Sequence, residues 1–147
     1  MHRESRGMTA WLPTIQLFAT LAMVGVIWSV QLVIYPQLHE VSAEGFRAYH
    51  AGHVQRIGPL VMPLMAIEGL AALALFVTGA RTPGATVAFA LLAVCWLSTA
   101  FLQVPLHGRL SAGRDVAAIT ALVNTNWLRT VAWTARGILL LKAAQAA

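Results

Sequence analysis

Charged residues are scarce in this sequence. Only 10% of its 147 residues are Asp, Glu, Lys or Arg, whereas a soluble globular domain carries about 25%. Acidic residues are the scarcest, five against ten basic ones, which leaves a formal net charge of +5. Together with a hydrophobic content of 59%, this shortage excludes an ordinary soluble domain and indicates a membrane protein.

Cysteine and the common catalytic signatures are also nearly absent. The single Cys95 cannot form an internal disulfide, and its place in a long apolar run favours a packing role. No glycine-rich phosphate loop or serine-triad signature is present. The basic residues are scattered rather than clustered, so the expected partner is the lipid bilayer and not nucleic acid.

Long apolar runs fill most of the chain. Each has the length of about 20 residues that a membrane-spanning helix needs, and the first is too long for a secretory signal. We predict an all-α fold: an integral membrane four-helix bundle with a short amphipathic helix between helices 1 and 2. The bundle forms a single domain over residues 1–147, with predicted spans at 10–35, 57–80, 85–107 and 116–142.

These spans predict a multi-pass integral membrane protein, and we expect it in a bacterial inner membrane. Basic residues are divided evenly between the two ends of the predicted bundle. The positive-inside rule therefore gives no orientation for the chain.

Four histidines are predicted to lie at one end of the bundle, and His39 is an alternative to His107 as the third ligand of a metal site there. His50 and His53 have the spacing of adjacent helical turns, and His107 follows the third span. Imidazoles ligate zinc, copper, iron and haem iron, so we predict a metal site at His50, His53 and His107 for a metal ion or a haem. The alternative is a set of interfacial histidines bonded to lipid headgroups, Glu40 or Glu44.

Ionisable groups also occur inside the predicted spans. A charged group at a bilayer centre is unfavourable by about 2.5 kcal/mol or more, which makes each one a functional hypothesis. Glu68 and Arg129 are expected to meet at similar depth. We predict that Glu68, Arg129 and Asn126 are catalytic, with Glu68 or a histidine handling a proton and the other two stabilising negative charge on a substrate oxygen. The alternative is a structural ion pair of Glu68 with Arg129 or Arg136.

Further polar and aromatic residues recur on the inner faces of the predicted helices. We predict that they line a substrate pocket that opens between the loops at 36–56 and 108–115; the alternative is hydrogen bonding between helices. The predicted pocket residues are Gln31, Tyr35, Gln103, Trp127, Trp133 and Arg136.

The second half of the chain resembles a known family. Residues 103–110 (QVPLHGRL) and 124–133 (NTNWLRTVAW) are similar to the DUF1772 family of small four-helix membrane proteins, which includes fungal anthrone oxygenases. The match covers that family's Val-Pro-Leu and Asn-x-x-Arg-Thr patterns, whereas His107 stands where the family commonly has Asn. The resemblance implies the four-helix fold and an oxygenase-like activity.

These observations predict a membrane-embedded oxidoreductase or oxygenase-like protein that acts on an apolar, aromatic or quinone-like substrate. The sequence is compatible with a homo-oligomer and with membership of a larger membrane complex. The alternative is a non-enzymatic membrane subunit or scaffold, in which the buried Glu, Arg and Asn groups are purely structural. A small transporter ranks third, because four helices are few for alternating access and the two halves show no inverted repeat.

Overall fold

The computed structural model describes residues 10–79 and 81–146. Within those ranges the chain forms four long helices and no strand. Short connections join them, so consecutive helices run antiparallel. The helices are α1 (Leu12–Gln37), α2 (Phe46–Val77), α3 (Pro83–Ser111) and α4 (Val116–Gln145).

The four helices pack as a bundle in which α1 contacts α2 and α4, while α3 contacts α4 and, less extensively, α2. Helices α2 and α4 therefore face each other diagonally across the centre and run in the same direction. Both begin at the end that carries the connections 38–45 and 112–115, which we call the histidine end. The opposite end, where α1 and α3 begin and α2 and α4 finish, is called the terminal end.

Of the described helices, α1, α2 and α3 are long and apolar enough to cross a membrane. Large apolar side chains point outward from them: Phe18, Leu70 and Phe101 are 70%, 69% and 72% exposed. Charged groups such as Glu68 and Arg136 are fully buried. Large apolar side chains on the outer surface, together with buried charges, favour lipid as the surrounding medium.

The separate amphipathic helix predicted between helices 1 and 2 is wrong, because its residues form the first turns of α2. Phe46 and His50 are fully buried against the bundle, so packing against the other helices holds this segment in line with the rest of α2. Pro59 and Pro63 lie inside the helix, which continues across both despite the backbone N–H groups they lack. The other three helices lie within a few residues of their predicted bounds, but α4, predicted as a fourth span, is not among the described helices that are long and apolar enough to cross a membrane.

Helices α1 and α3 share a local irregularity. Each contains a five-residue π-helical turn, Val30–Ile34 in α1 and Thr99–Gln103 in α3. A proline comes shortly after each turn, Pro36 in α1 and Pro105 in α3, and its missing N–H and its ring disturb the regular α pattern on the N-terminal side. Such turns change the facing of the later residues and are frequent at functional sites.

The helix ends are set by local chemistry. The connection after α2 turns at Gly79, whose φ of 106° suits glycine because no Cβ is present to clash. Thr82 Oγ1 accepts the backbone N–H of Ala85 at 3.1 Å and caps α3. Asp115 Oδ1 accepts the N–H of Ala118 at 2.9 Å and caps α4 in the same way.

Candidate functional site

A hydrogen-bonded chain of side chains lies at the histidine end. His50 Nε2 and His107 Nδ1 are 2.9 Å apart, and His107 Nε2 lies 3.0 Å from the Tyr35 hydroxyl. The ring of His53 lies 5.9 Å from that of His107, centroid to centroid. The fold thus brings together the three predicted histidines of α2 and α3 and the predicted pocket residue Tyr35 of α1.

The three imidazoles stack rather than converge on one point. The ring planes of His50 and His107 differ by 28°, and those of His53 and His107 by 25°. Both ring nitrogens of His107 already take part in hydrogen bonds. Across residues 10–79 and 81–146, no group of three His, Cys, Asp or Glu side chains is arranged to hold a metal ion. The present arrangement therefore does not fit the predicted metal site, and no chemical step is derived from a metal or a haem.

Arg129 lies deeper in the bundle, next to Tyr35. Its Nη2 donates to the Tyr35 hydroxyl at 3.4 Å and to Asn126 Oδ1 at 2.6 Å. Its Nε also donates to Asn126 Oδ1, at 2.9 Å, and its Nη1 to Thr99 Oγ1 at 3.1 Å. Asn126 Nδ2 in turn donates to Gln31 Oε1 at 2.8 Å. The predicted catalytic residues Arg129 and Asn126 thus share one network with the predicted pocket residues Tyr35 and Gln31.

The charge of Arg129 has an unusual environment. The side chain is buried, and every acceptor that it meets among the described residues is a neutral hydroxyl or amide. A buried charge is normally paired with an opposite charge, since desolvation is unfavourable without one. This guanidinium is therefore a centre of uncompensated positive charge inside the bundle.

Glu68 belongs to a second network. Its Oε1 accepts from the Thr20 hydroxyl at 2.5 Å and from Arg136 Nε at 2.8 Å, and its Oε2 accepts from Trp133 Nε1 at 2.9 Å. Arg136 Nη1 donates to the carbonyl of Ala88, while Nη2 has no acceptor among the described residues. Both oxygens of Glu68 are occupied, so the geometry favours a structural role for a residue that we predicted to be catalytic.

The expected meeting of Glu68 with Arg129 is wrong, because the partner of Glu68 is Arg136. The depth of Glu68 was predicted from a helix that begins at residue 57, whereas α2 begins at Phe46. Measured from the first residues of α2 and α4, Glu68 and Arg136 lie about 33 Å and about 30 Å along their helices. Arg129 lies about 10 Å short of that level, two turns earlier in α4.

Two further predicted pocket residues lie in other surroundings. Gln103 links helices, because its Oε1 accepts from Ser98 at 3.0 Å and its Nε2 donates to Thr125 at 3.2 Å. Trp127 is 42% exposed and packs edge-on against Trp28, with ring centroids 5.8 Å apart. Gln103 therefore acts as an interhelical contact, and Trp127 lies on the outer face of α1 and α4.

A large cavity lies at the terminal end, opposite to the end where we predicted a pocket. It has a volume of about 650 Å³, and the described residues that line it include none of the six predicted pocket residues. Two shallower clefts of about 480 and 520 Å³ open at the histidine end, beside His53 and His50 respectively. The large cavity includes among its lining residues Leu17, Ala72, Phe76, Ala88, Phe89 and Leu140.

Two threonines that bond to the buried charges were not among the predicted site residues. Thr20 donates to Glu68, and Thr99 accepts from Arg129. Thr20 lies four residues after Gln16, on one helical face, and this polar spacing was a usable signal. Thr99 begins the π-helical turn of α3, so regular helical spacing does not predict the direction of its side chain.

Comparisons with protein-family models, with curated proteins and with solved structures find no match to this chain. The resemblance to the DUF1772 family therefore stays a prediction. Function has to be inferred from the residues of the two networks and from the clefts beside them.

Proposed function

We propose that this protein is a membrane-embedded oxidoreductase, oxygenase-like in its chemistry, that acts on an apolar aromatic or quinone-like substrate at the histidine end. We place it in a bacterial inner membrane. The observation that carries the proposal is Arg129, a buried cation with neutral partners that contacts Tyr35 and, through it, His107. Preorganised positive charge of this kind stabilises negative charge that develops on a substrate oxygen, and neighbouring imidazoles accept protons.

The substrate would enter through the cleft between α1 and α2. This cleft has a volume of about 480 Å³ and is bordered by Ile34, Ile57 and Leu60 together with Tyr49 and His53. Its volume lies within the range of about 300–1,000 Å³ that is common for small-molecule sites. An apolar molecule dissolved in the bilayer would reach His53 from the lipid side without crossing water.

The resemblance to anthrone oxygenases suggests the oxidation of a ring methylene to a ketone by dioxygen. A ring methylene conjugated with a ketone loses a proton to His53, and the resulting enolate oxygen is held by the Tyr35 hydroxyl and the charge of Arg129. The enolate carbon then reacts with dioxygen, so that CH₂ and O₂ become C=O and H₂O. His53 returns the proton to the resulting peroxide, and loss of the remaining C–H proton with hydroxide as the leaving group gives C=O and H₂O. His107, which is hydrogen-bonded to Tyr35 and to His50, orients the Tyr35 hydroxyl.

The proposal is tested by oxygen uptake with anthrone as the probe substrate and purified protein in mild detergent. Wild type should consume anthrone and dioxygen in equal amounts. Arg129→Met should lower kcat about 10²–10³-fold, as expected for loss of an oxyanion-stabilising donor, and His53→Gln about 10²–10⁴-fold.

His39→Gln is the matched control for these variants. His39 is an exposed histidine at the same end of the bundle, and its replacement should leave the rate unchanged. Absence of turnover by wild type with anthrone and with a panel of related aryl ketones would contradict the proposal.

A second candidate function is that of a non-enzymatic membrane subunit or scaffold. It is favoured by the Glu68 network, in which a fully buried ion pair joins α2 to α4. The outward apolar faces of the helices would then dock on a larger complex. This candidate predicts stable co-purification with a partner protein and no turnover of any apolar substrate.

A further inference from the structure

The cavity at the terminal end is separate from the histidine site. It is bordered by the first turns of α1 and α3 and by the last turns of α2 and α4. The Glu68 network lies directly below the cavity. On every helix, one of the lining residues contacts a residue of the network or lies one helical turn away from it. These lining residues are Gln16, Ala72, Ala88 and Leu140.

Most of the surface of the cavity is hydrocarbon. Phe76 and Phe89 stack with ring centroids 4.6 Å apart and form the wall between α2 and α3. Alanine and leucine side chains form most of the remainder. A ligand in this space would exchange contact with water for contact with apolar side chains. Such an exchange favours an alkyl chain over a polar molecule.

The rim of the cavity is basic. The guanidinium of Arg81 lies 5.1 Å above the centre of the Phe76 ring, and its Nε donates to the Phe76 carbonyl at 3.4 Å. Lys142 lies in the last turn of α4 at the same end of the bundle, but its helical position is on the face away from the lining residues Leu140 and Ala143. The exposed acidic residues that the structure describes all lie at the histidine end. Among the residues that the structure describes, the terminal end therefore presents exposed cations to the membrane surface and no exposed acid.

We propose that this cavity binds one acyl chain of an anionic phospholipid, with the lipid phosphate at Arg81. The apolar walls account for the chain, and the basic rim accounts for the charge of the headgroup. The volume of about 650 Å³ is within the range of ordinary ligand sites. This inference uses the membrane location of the protein and is independent of the proposed catalysis.

Native mass spectrometry of the full chain, released from neutral detergent, tests the proposal. The probes are phosphatidylglycerol and phosphatidylcholine with identical acyl chains, and oleic acid as a free fatty acid. One phosphatidylglycerol should remain bound per chain, with a preference of about fivefold over phosphatidylcholine for each basic residue at the headgroup.

Two variants with matched controls locate the lipid. Ala85→Phe fills the cavity from α3 and should lower phosphatidylglycerol binding about tenfold or more, whereas Ala90→Phe, on an exposed face of the same helix, should not. Arg81→Gln should reduce the preference for phosphatidylglycerol about fivefold. Arg47→Gln, an exposed arginine at the histidine end, should leave that preference unchanged.

Equal binding of the two phospholipids by wild type, or full binding by a folded Ala85→Phe variant, would overturn the proposal. So would stronger binding of oleic acid than of phosphatidylglycerol. If Ala85→Phe does not fold, Ala144→Phe at the open end of the cavity carries the same expectation. Anthrone turnover by Arg81→Gln should equal that of wild type, which separates failure of this inference from failure of the catalytic proposal.

Discussion

At the scale of single residues, the two buried arginines of α4 have opposite electrostatic environments. Arg136 donates to the carboxylate of Glu68, so its charge is compensated. Arg129 meets only neutral acceptors within the described residues, chiefly Asn126 and Thr99. An uncompensated buried charge lowers stability, and such groups are usually retained for function. We therefore infer a structural role for Arg136 and a functional one for Arg129.

Replacement of Glu68 tests the structural half of this inference. Glu68→Gln leaves Arg136 buried without a counter-charge, so we expect a loss of about 3–5 kcal/mol in the free energy of unfolding. The measurement is denaturant unfolding in mild detergent. Glu44→Gln, which changes an exposed carboxylate at the surface, should have little effect.

The double variant Glu68→Leu with Arg136→Met should recover most of the lost stability, because it removes both charges together. Normal stability of Glu68→Gln combined with loss of anthrone turnover would instead indicate that Glu68 is catalytic, as its place in the sequence predicted.

At the scale of the helix, the π-helical turns of α1 and α3 decide which side chains reach the site. The N–H of Tyr35 bonds to the carbonyl of Val30, five residues earlier, and the N–H of Val104 bonds to Thr99 in the same way. Each turn thus adds a residue relative to a regular α-helix and rotates the next residues of the helix about its axis. We infer that the turn in α1 is the feature that aims Tyr35 at His107.

Deletion of one residue from that turn tests its role. Removing Val33, which is 52% exposed, should restore α spacing and rotate the later residues of the helix by about 100°. Helix content, measured by circular dichroism, should persist, while anthrone turnover falls about 100-fold or more because Tyr35 is misplaced. Val33→Ala keeps the length and should retain activity; wild-type turnover after the deletion would contradict the inference.

The cap of α4 gives a pH-dependent prediction. The backbone N–H of Ala118, and secondly the Arg109 side chain, hold the pKa of Asp115 below its ordinary value of 3.8. Because the folded pKa is the lower one, the carboxylate contributes stability above pH of about 4 and that contribution is lost as the pH falls through the folded pKa. Wild-type Tm should therefore fall in this acidic range.

The variant Asp115→Asn keeps an oxygen that can cap the helix but removes the titrating group. Its Tm should depend less on pH than that of wild type below pH of about 4. The comparison is made by thermal unfolding in detergent from neutral pH downwards. Parallel curves for the two proteins would show that Asp115 does not contribute to the acid sensitivity.

At the scale of the whole molecule, a few charged and amide side chains are buried along the bundle, while many large apolar side chains lie on its outer surface. Charged and amide side chains from all four helices meet in the interior, while leucines, valines and aromatic residues cover much of the surface. A protein in water would expose those charges and bury those apolar groups. The arrangement therefore favours an apolar medium around the helices.

Cysteine labelling in sealed vesicles tests this arrangement. Cys95 is fully buried and should give no background. A membrane-impermeant maleimide should label either Ala43→Cys at the histidine end or Arg81→Cys at the terminal end, and should label both after permeabilisation. Leu70→Cys, on the apolar outer face, should stay unlabelled throughout; its rapid labelling, or labelling of both ends from one side, would contradict a membrane-spanning bundle.

Much of the fold was predictable from local pattern, and the candidate site only in part. The long apolar runs predicted four helices, because length and hydropathy are properties of consecutive residues. The polar residues of α4 were recognised by their helical spacing, and Asn126 and Arg129 do lie in one network. The start of α2 was misplaced, since the burial of Phe46 depends on contacts with other helices, and that error carried over to the partner of Glu68.

The sequence by itself determined the helical composition, the scarcity of charge and the presence of titratable groups within apolar segments, because each of these is a property of short stretches of chain. Only the tertiary structure decided that Glu68 pairs with Arg136, that His50 bonds to His107 and that an apolar cavity of about 650 Å³ lies at the terminal end. These features depend on the relative depth and rotation of separate helices. A π-helical turn, or a shift of a few residues in a helix start, changes both the depth and the rotation. The local sequence pattern does not predict their combined effect.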